Sequence, residues 1–146
     1  MPIPDLSPIR AVLFDMDGLL LDSERVAYAI GRETSEHLGL PWRHEAAIDA
    51  GRFDLKPGVH ELFDLLDERG LKRAVATSTR RARAIAKLDG VGVWPRLQGL
   101  VGGDEVARGK PAPDIYLAAA RLLEVPIADC LVLEDSNTGV RGGLAT

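Results

Sequence analysis

AVLFDMDGLLLDS, residues 11 to 23, is the stretch from which the fold can be read. Ala11 to Phe14 are apolar and suit a β-strand, carboxylates follow at Asp15 and Asp17, and Gly18 permits a sharp departure. A strand that delivers acids at its carboxyl end sets them in the crevice where open α/β sheets bind ligands. Like charges this close repel unless something cationic sits between them, and an oxygen-only ligand set favours magnesium. Taken alone, the pair would sooner suit the start of a polar turn.

Outward from this stretch, further polar groups follow apolar runs or stand in loops: ATST at 76–79, GKPAPD at 109–114 and LEDS at 133–136. Val59, Leu62, Phe63 and Leu66 recur at offsets of three, four and seven, which predicts a helix starting after Pro57 and ending at Gly70. Another helix is predicted over Glu24 to Leu38, with Ala27, Ile30 and Leu38 on one face and Gly39 and Pro41 closing it. Strands are expected at Arg73 to Thr77, Leu97 to Val101 and Leu131 to Glu134, with helices at Arg81 to Leu88 and Asp114 to Leu123. Alternation of this kind implies right-handed crossovers and a parallel sheet, although the pattern alone does not fix strand order.

Taken in order, DMDGLLLDS, ATST, GKPAPD and LEDS resemble the four motifs of the haloacid dehalogenase superfamily of phosphotransferases. The stretches LKPGVHELFDLLDERG and GDEVARGKPAPDIYLAAARLLEVPIADCLVLEDSNTGVRGGLA are similar to the subgroup containing β-phosphoglucomutase and sugar-phosphate phosphatases. The resemblance implies an α/β, Rossmann-like three-layer sandwich with a mostly parallel sheet. In it the Asp15 strand would lie between those ending at Thr77 and Glu134. It also implies magnesium-dependent phosphoryl transfer through an aspartyl-phosphate.

On that resemblance Asp15 would be the nucleophile, and Asp17 would protonate the leaving oxygen and then deprotonate the attacking water. Thr77 and Lys110 would be catalytic and would bind the phosphoryl group, with Ser78 beside them, because phosphoryl transfer asks chiefly for positioning and charge neutralisation. Backbone N–H groups after Asp15, loosened by Gly18, would add donors. The metal ligands would be the Asp15 and Asp135 carboxylates and the Asp17 backbone carbonyl, with Glu134 contacting a water on the ion. The expected partner is a small phosphorylated substrate such as a sugar phosphate, and hydrolysis is favoured over a phosphosugar mutase reaction. Asp17 argues against a dehalogenase, since halide needs no proton to leave. A phosphonatase would need an imine-forming lysine in the cap, and no lysine occurs between Asp22 and Leu55.

The resemblance is incomplete in two places. Residues 1–22 and 57–146 would form the catalytic core, and the 34 residues from 23 to 56 would form a shortened helical cap. The sequence stops 11 residues after Asp135, so C-terminal sheet elements are expected to be missing, leaving an exposed sheet edge that invites self-association. A non-catalytic binding module or an inactive fragment is the alternative from a different class.

The chain has 146 residues, 46% apolar and 27% charged, with a net charge of −4, which suits one α/β core and offers no general attraction for nucleic acid or anionic membranes. No apolar run approaches a membrane span and MPIPDLSPIR is unlike a secretory signal, so a cytoplasmic location is expected. Cys130 is the single cysteine and reads as a small core residue; His37, His44 and His60 lack metal-ligand spacing. Arg80, Arg81, Arg83 and Lys87 read as the solvated face of a helix.

Overall fold

The computed structural model describes residues 7–23, 39 and 53–146. Its sheet contains β1 (Ala11–Phe14), β2 (Lys72–Ala76), β3 (Gly99–Val101) and β4 (Cys130–Leu133), all parallel and in the order β3-β2-β1-β4. Helix α1 (Val59–Glu68) precedes β2, α2 (Arg81–Gly90) links β2 to β3, α3 (Asp114–Leu122) links β3 to β4, and α4 (Asn137–Leu144) follows β4. The Asp15 strand is therefore central, between β2 and β4, as the resemblance implied.

The two-residue period of the strands builds two cores, one on each face. Val12, Phe14, Val75 and Leu100 face α1 and α2 and pack with Val59, Phe63, Leu66, Ala84 and Leu88. Ala11, Leu13, Ala74, Ala76 and Val101 face α3 and pack with Ile115, Tyr116, Ala119 and Leu123. The first face carries the larger side chains, with the Phe14 and Phe63 rings 5.5 Å apart, and burying each such ring stabilises by about 1.5–3 kcal/mol. The second face is rich in alanine, which brings α3 close to the sheet. The result is the expected three-layer α/β sandwich.

Arg73 in β2 is buried on the first face, where a charge must be fully partnered. It donates to the carbonyls of Phe63 at 3.0 Å and Arg96 at 2.6 Å, pairs with Asp67, and lies 4.7 Å from the Phe63 ring centroid. It thereby ties the end of α1 to the turn before β3, at the edge of the sheet opposite the acids.

The element boundaries differ from expectation by small steps that matter. β2 ends at Ala76 and β4 at Leu133, so Thr77 and Glu134 lie just past the strands rather than in them. β3 begins at Gly99, two residues later than expected, and Leu122 packs against that glycine: a Cβ there would lie 2.3 Å from Leu122 Cδ2. Cys130 is only partly buried, at the start of β4, and its thiol donates to the Pro126 carbonyl at 3.4 Å. The helix expected at Glu24 to Leu38, and most of the expected cap segment, lie outside the described residues. On either side of that segment the chain is drawn together, with Asp22 N donating to Asp54 O at 2.9 Å and Lys56 N to Leu20 O at 2.8 Å. Within the described sheet β4 is an edge strand, with α4 folding back so that Gly143 meets Val132.

Candidate active site

The register brings the polar groups to one sheet edge. Phe14 is paired with Val75 and with Leu133, so one step further places Asp15 abreast of Glu134. Asp15 N donates to Leu133 O at 3.0 Å, and Thr77 N to Val101 O at 3.1 Å, which carries the pairing just past the strand ends. Asp15 is 9% exposed. Lys110 crosses from the loop before α3, donates to Asp15 Oδ1 at 2.7 Å and also pairs with Glu134. Tyr116, fully buried on α3, donates its hydroxyl to Glu134, and its oxygen is 3.1 Å from the Gly139 carbonyl oxygen. Burial and the Glu134 carboxylate push the Tyr116 phenol far up, so it remains a donor. Gly139 is required here, because a Cβ would fall 2.0 Å from the Glu134 carboxyl carbon.

Asp17 is held separately. The chain turns tightly after β1, with Leu20 N and Leu21 N both donating to Met16 O at 3.0 Å and Gly18 N to Leu21 O at 2.9 Å. Of the backbone N–H groups after Asp15, that of Gly18 is therefore engaged within this turn. Gly18 has φ +85°, and a Cβ on it would lie 2.1 Å from Asp135 Oδ2. Asp17 Oδ1 accepts from Lys87 Nζ at 2.8 Å and Oδ2 from Thr79 Oγ1 at 2.8 Å. Burial alone would raise the Asp17 carboxyl, but the hydrogen bond and charge of Lys87, helped by Thr79 and Ser23, hold it below the ordinary carboxylate range. The two acids are thus relieved of mutual repulsion by two different lysines, Lys110 and Lys87, whereas sequence alone suggested one cation between them.

The hydroxyl loop after β2 is clamped by the segment after β3. Thr77 is 1% exposed, and its Oγ1 accepts from Thr79 N at 3.1 Å, leaving the O–H proton available for donation. Gly103 N donates to Thr79 O at 3.0 Å. Glycines are needed at this crossing: a Cβ on Gly103 would lie 2.3 Å from Ser78 O and one on Gly102 2.5 Å from Arg81 N. Asp104 Oδ1 accepts from Arg81 N at 2.8 Å, satisfying an N–H at the start of α2. Thr77, Ser78, Thr79, Lys110, Asp15 and Asp17 all line one open cleft of about 240 Å³, with Asp135 on its rim.

Carboxylate oxygens of Asp15, Glu134 and Asp135 lie within 4.8 Å of one another. Hard oxygen donors at that spacing suit magnesium. Asp17 contributes no carboxylate oxygen to this group. Within this group Glu134 is also held by Lys110 and Tyr116.

Burial pushes the Asp15 carboxyl up to about 6, against the lowering by Lys110. A raised folded-state value favours the protonated acid, so this stabilisation is present below about pH 4 and lost as pH rises through 6. The shift corresponds to about 3 kcal/mol. Asp17, Asp67 and Asp114 are lowered and stay ionised over that window. Magnesium should therefore raise the melting temperature more at pH 7.5 than at pH 5. Equal gains at both pH values would show that Asp15 is not the group the cation relieves.

A haloacid dehalogenase-like hydrolase model matches residues 35–145. The chain belongs to the haloacid dehalogenase-like hydrolase family. Protein CbbY of Rhodobacter capsulatus is 30% identical over 185 residues, covering 94% of this chain and 82% of that protein. That alignment is longer than the chain itself, so the relative carries residues within the matched span that this hydrolase lacks. The phosphorylated carbohydrates phosphatase of Thermotoga maritima is 31% identical over 170 residues, covering 90% and 79%. The crystal structure of CbbY from Rhodobacter sphaeroides in complex with phosphate superposes with a TM-score of 0.76 at 26% identity, covering 94% and 82%. This chain is accordingly an enzyme of the hydrolase class with a phosphatase among its relatives. Among the described residues of this haloacid dehalogenase-like hydrolase, no helix is long and apolar enough to cross a membrane.

Residues that sequence reading missed support the side chains of the cleft. Lys87, read as part of a solvated basic face, has a side chain only 5% exposed and contacts Asp17. Thr79 bonds Asp17, and Tyr116 supports Glu134. A signal was present for Lys87: it falls three residues after Ala84 and next to Leu88, on the apolar stripe of α2.

Proposed function

We propose that this chain hydrolyses small phosphate monoesters, sugar phosphates among them, with Asp15 as nucleophile. The observation that carries the reading is Lys110 Nζ 2.7 Å from a largely buried Asp15 carboxylate at the end of the central strand. Asp15 attacks phosphorus and an oxygen–phosphorus bond forms. Asp17, ionised in the free site, takes up a proton from solvent as the negative phosphate settles beside it, and gives that proton to the leaving oxygen as its bond to phosphorus breaks. Water then attacks the aspartyl-phosphate, Asp17 takes its proton, and phosphate leaves with Asp15 restored. Thr77 donates to a phosphoryl oxygen, and Lys110 balances the charge gathered on Asp15 and the phosphoryl group. Magnesium held by Asp15, Glu134 and Asp135, with the Asp17 carbonyl, would add positive charge at the same place.

Support for the substrate class comes from relatives: one is named for phosphorylated carbohydrates, and another was solved in complex with phosphate. The purified chain should release phosphate from p-nitrophenyl phosphate in the presence of magnesium and stop on addition of EDTA. Folded protein that releases none would overturn this reading in favour of a binding module.

A further inference from the structure

Lys87 lies on the inner side of α2, next to Leu88 and one turn from Ala84, both fully buried. Lysine is rarely covered so completely unless it is paired. Its ammonium reaches Asp17 Oδ1 at 2.8 Å, with the Phe53 ring 4.7 Å away. Thr79 Oγ1 occupies the other oxygen, Oδ2, at the same 2.8 Å distance. The terminal torsion of an aspartate is otherwise broad and nearly two-fold. Two donors from two different elements, one on each oxygen, remove that freedom. Arg81 of the same helix behaves differently, turning a 42% exposed side chain to Glu105 and to the Leu100 carbonyl.

We infer that Lys87 is a positioning residue for Asp17, fixing the carboxylate in the orientation from which it serves the leaving oxygen. Lys110 attends the nucleophile from the α3 side of the sheet, and Lys87 attends the acid and base from the α2 side. The inference rests on the proposed role of Asp17 in phosphate-ester hydrolysis. A misplacement of about 1 Å in such a group costs on the order of a hundredfold in rate.

The test varies the leaving group, because phenolate depends on a proton far more than p-nitrophenolate does. kcat/KM is measured for phenyl phosphate and p-nitrophenyl phosphate with the parent, Lys87→Met, Lys87→Arg and Asp17→Asn. Lys87→Met should lose about tenfold more on phenyl phosphate than on p-nitrophenyl phosphate. Asp17→Asn should show the same selectivity, and Lys87→Arg, which keeps a charged donor, should recover most of the loss. Equal losses on both esters, no loss, or a selective gain in Lys87→Met would overturn the inference. Selective loss in Asp17→Asn but not in Lys87→Met would overturn the role of Lys87 alone. A folded parent that cleaves neither ester would overturn the hydrolytic reading and this inference with it. If Lys87→Met fails to fold by circular dichroism, Thr79→Val takes its place: the same selective loss is expected, and equal losses would refute the tethering of Asp17.

Discussion

Asp15→Asn should abolish magnesium-dependent ester hydrolysis while the protein remains folded. The amide has nearly the shape of the carboxylate but cannot form the aspartyl-phosphate, so no two-step route remains. A loss of at least about a thousandfold is expected, equivalent to about 4 kcal/mol of barrier. Folding should survive because Lys110 keeps Glu134 as a partner, and the Phe14 to Leu133 pairing beneath the site does not involve the side chain. Stopped assays of phosphate release, with circular dichroism as the control for folding, decide the matter. Parent-like turnover would remove Asp15 from the nucleophile role, whatever the state of the other acids.

Lys110→Ala should have the second largest effect. Its side chain is 6% exposed and its ammonium bridges Asp15 and Glu134, so removal leaves two carboxylates facing each other and takes away the cation that would neutralise the incoming phosphoryl group. Loss of one such preorganised donor costs about a hundredfold to a thousandfold in turnover, and binding of vanadate or inorganic phosphate should weaken in parallel. Arginine should rescue only in part, since its planar fork cannot sit as a point charge between the two acids. An alanine variant equal to the parent in both turnover and vanadate inhibition would place Lys110 outside the reaction.

The fold was legible in the sequence to the extent that periodicity and turn residues govern it. Val59, Leu62, Phe63 and Leu66 marked α1 because one helical face must be apolar, and Gly18 marked the turn after β1 because its φ of +85° is open to glycine. The position of Asp15 beside Glu134 came from the family resemblance, since alternation of strands and helices leaves the order of a sheet undetermined. The double glycine at Gly102 and Gly103 passed unread, although it decides how closely the hydroxyl loop is clamped. Its meaning depends on the Ser78 carbonyl 2.3 Å from where a Cβ would stand, a neighbour distant in sequence. Lys87 was misread for a related reason. A lysine within a run of arginines looks like a solvated face until the helix is docked and one of its charges proves to point inward.

The approach of Lys110 and Lys87 from opposite helical layers has a mechanical side. Each lysine side chain is nearly buried and is anchored to an acid at the mouth of the central strand, so the pair fastens both layers to the sheet at its carboxyl end. A phosphoryl group entering the cleft would draw Lys110 partly away from Asp15 and loosen one fastener while the other, on the far layer, stays shut. Catalysis and cohesion would then compete for one lysine only, with the remaining latch keeping the sheet edge in register through the turnover cycle.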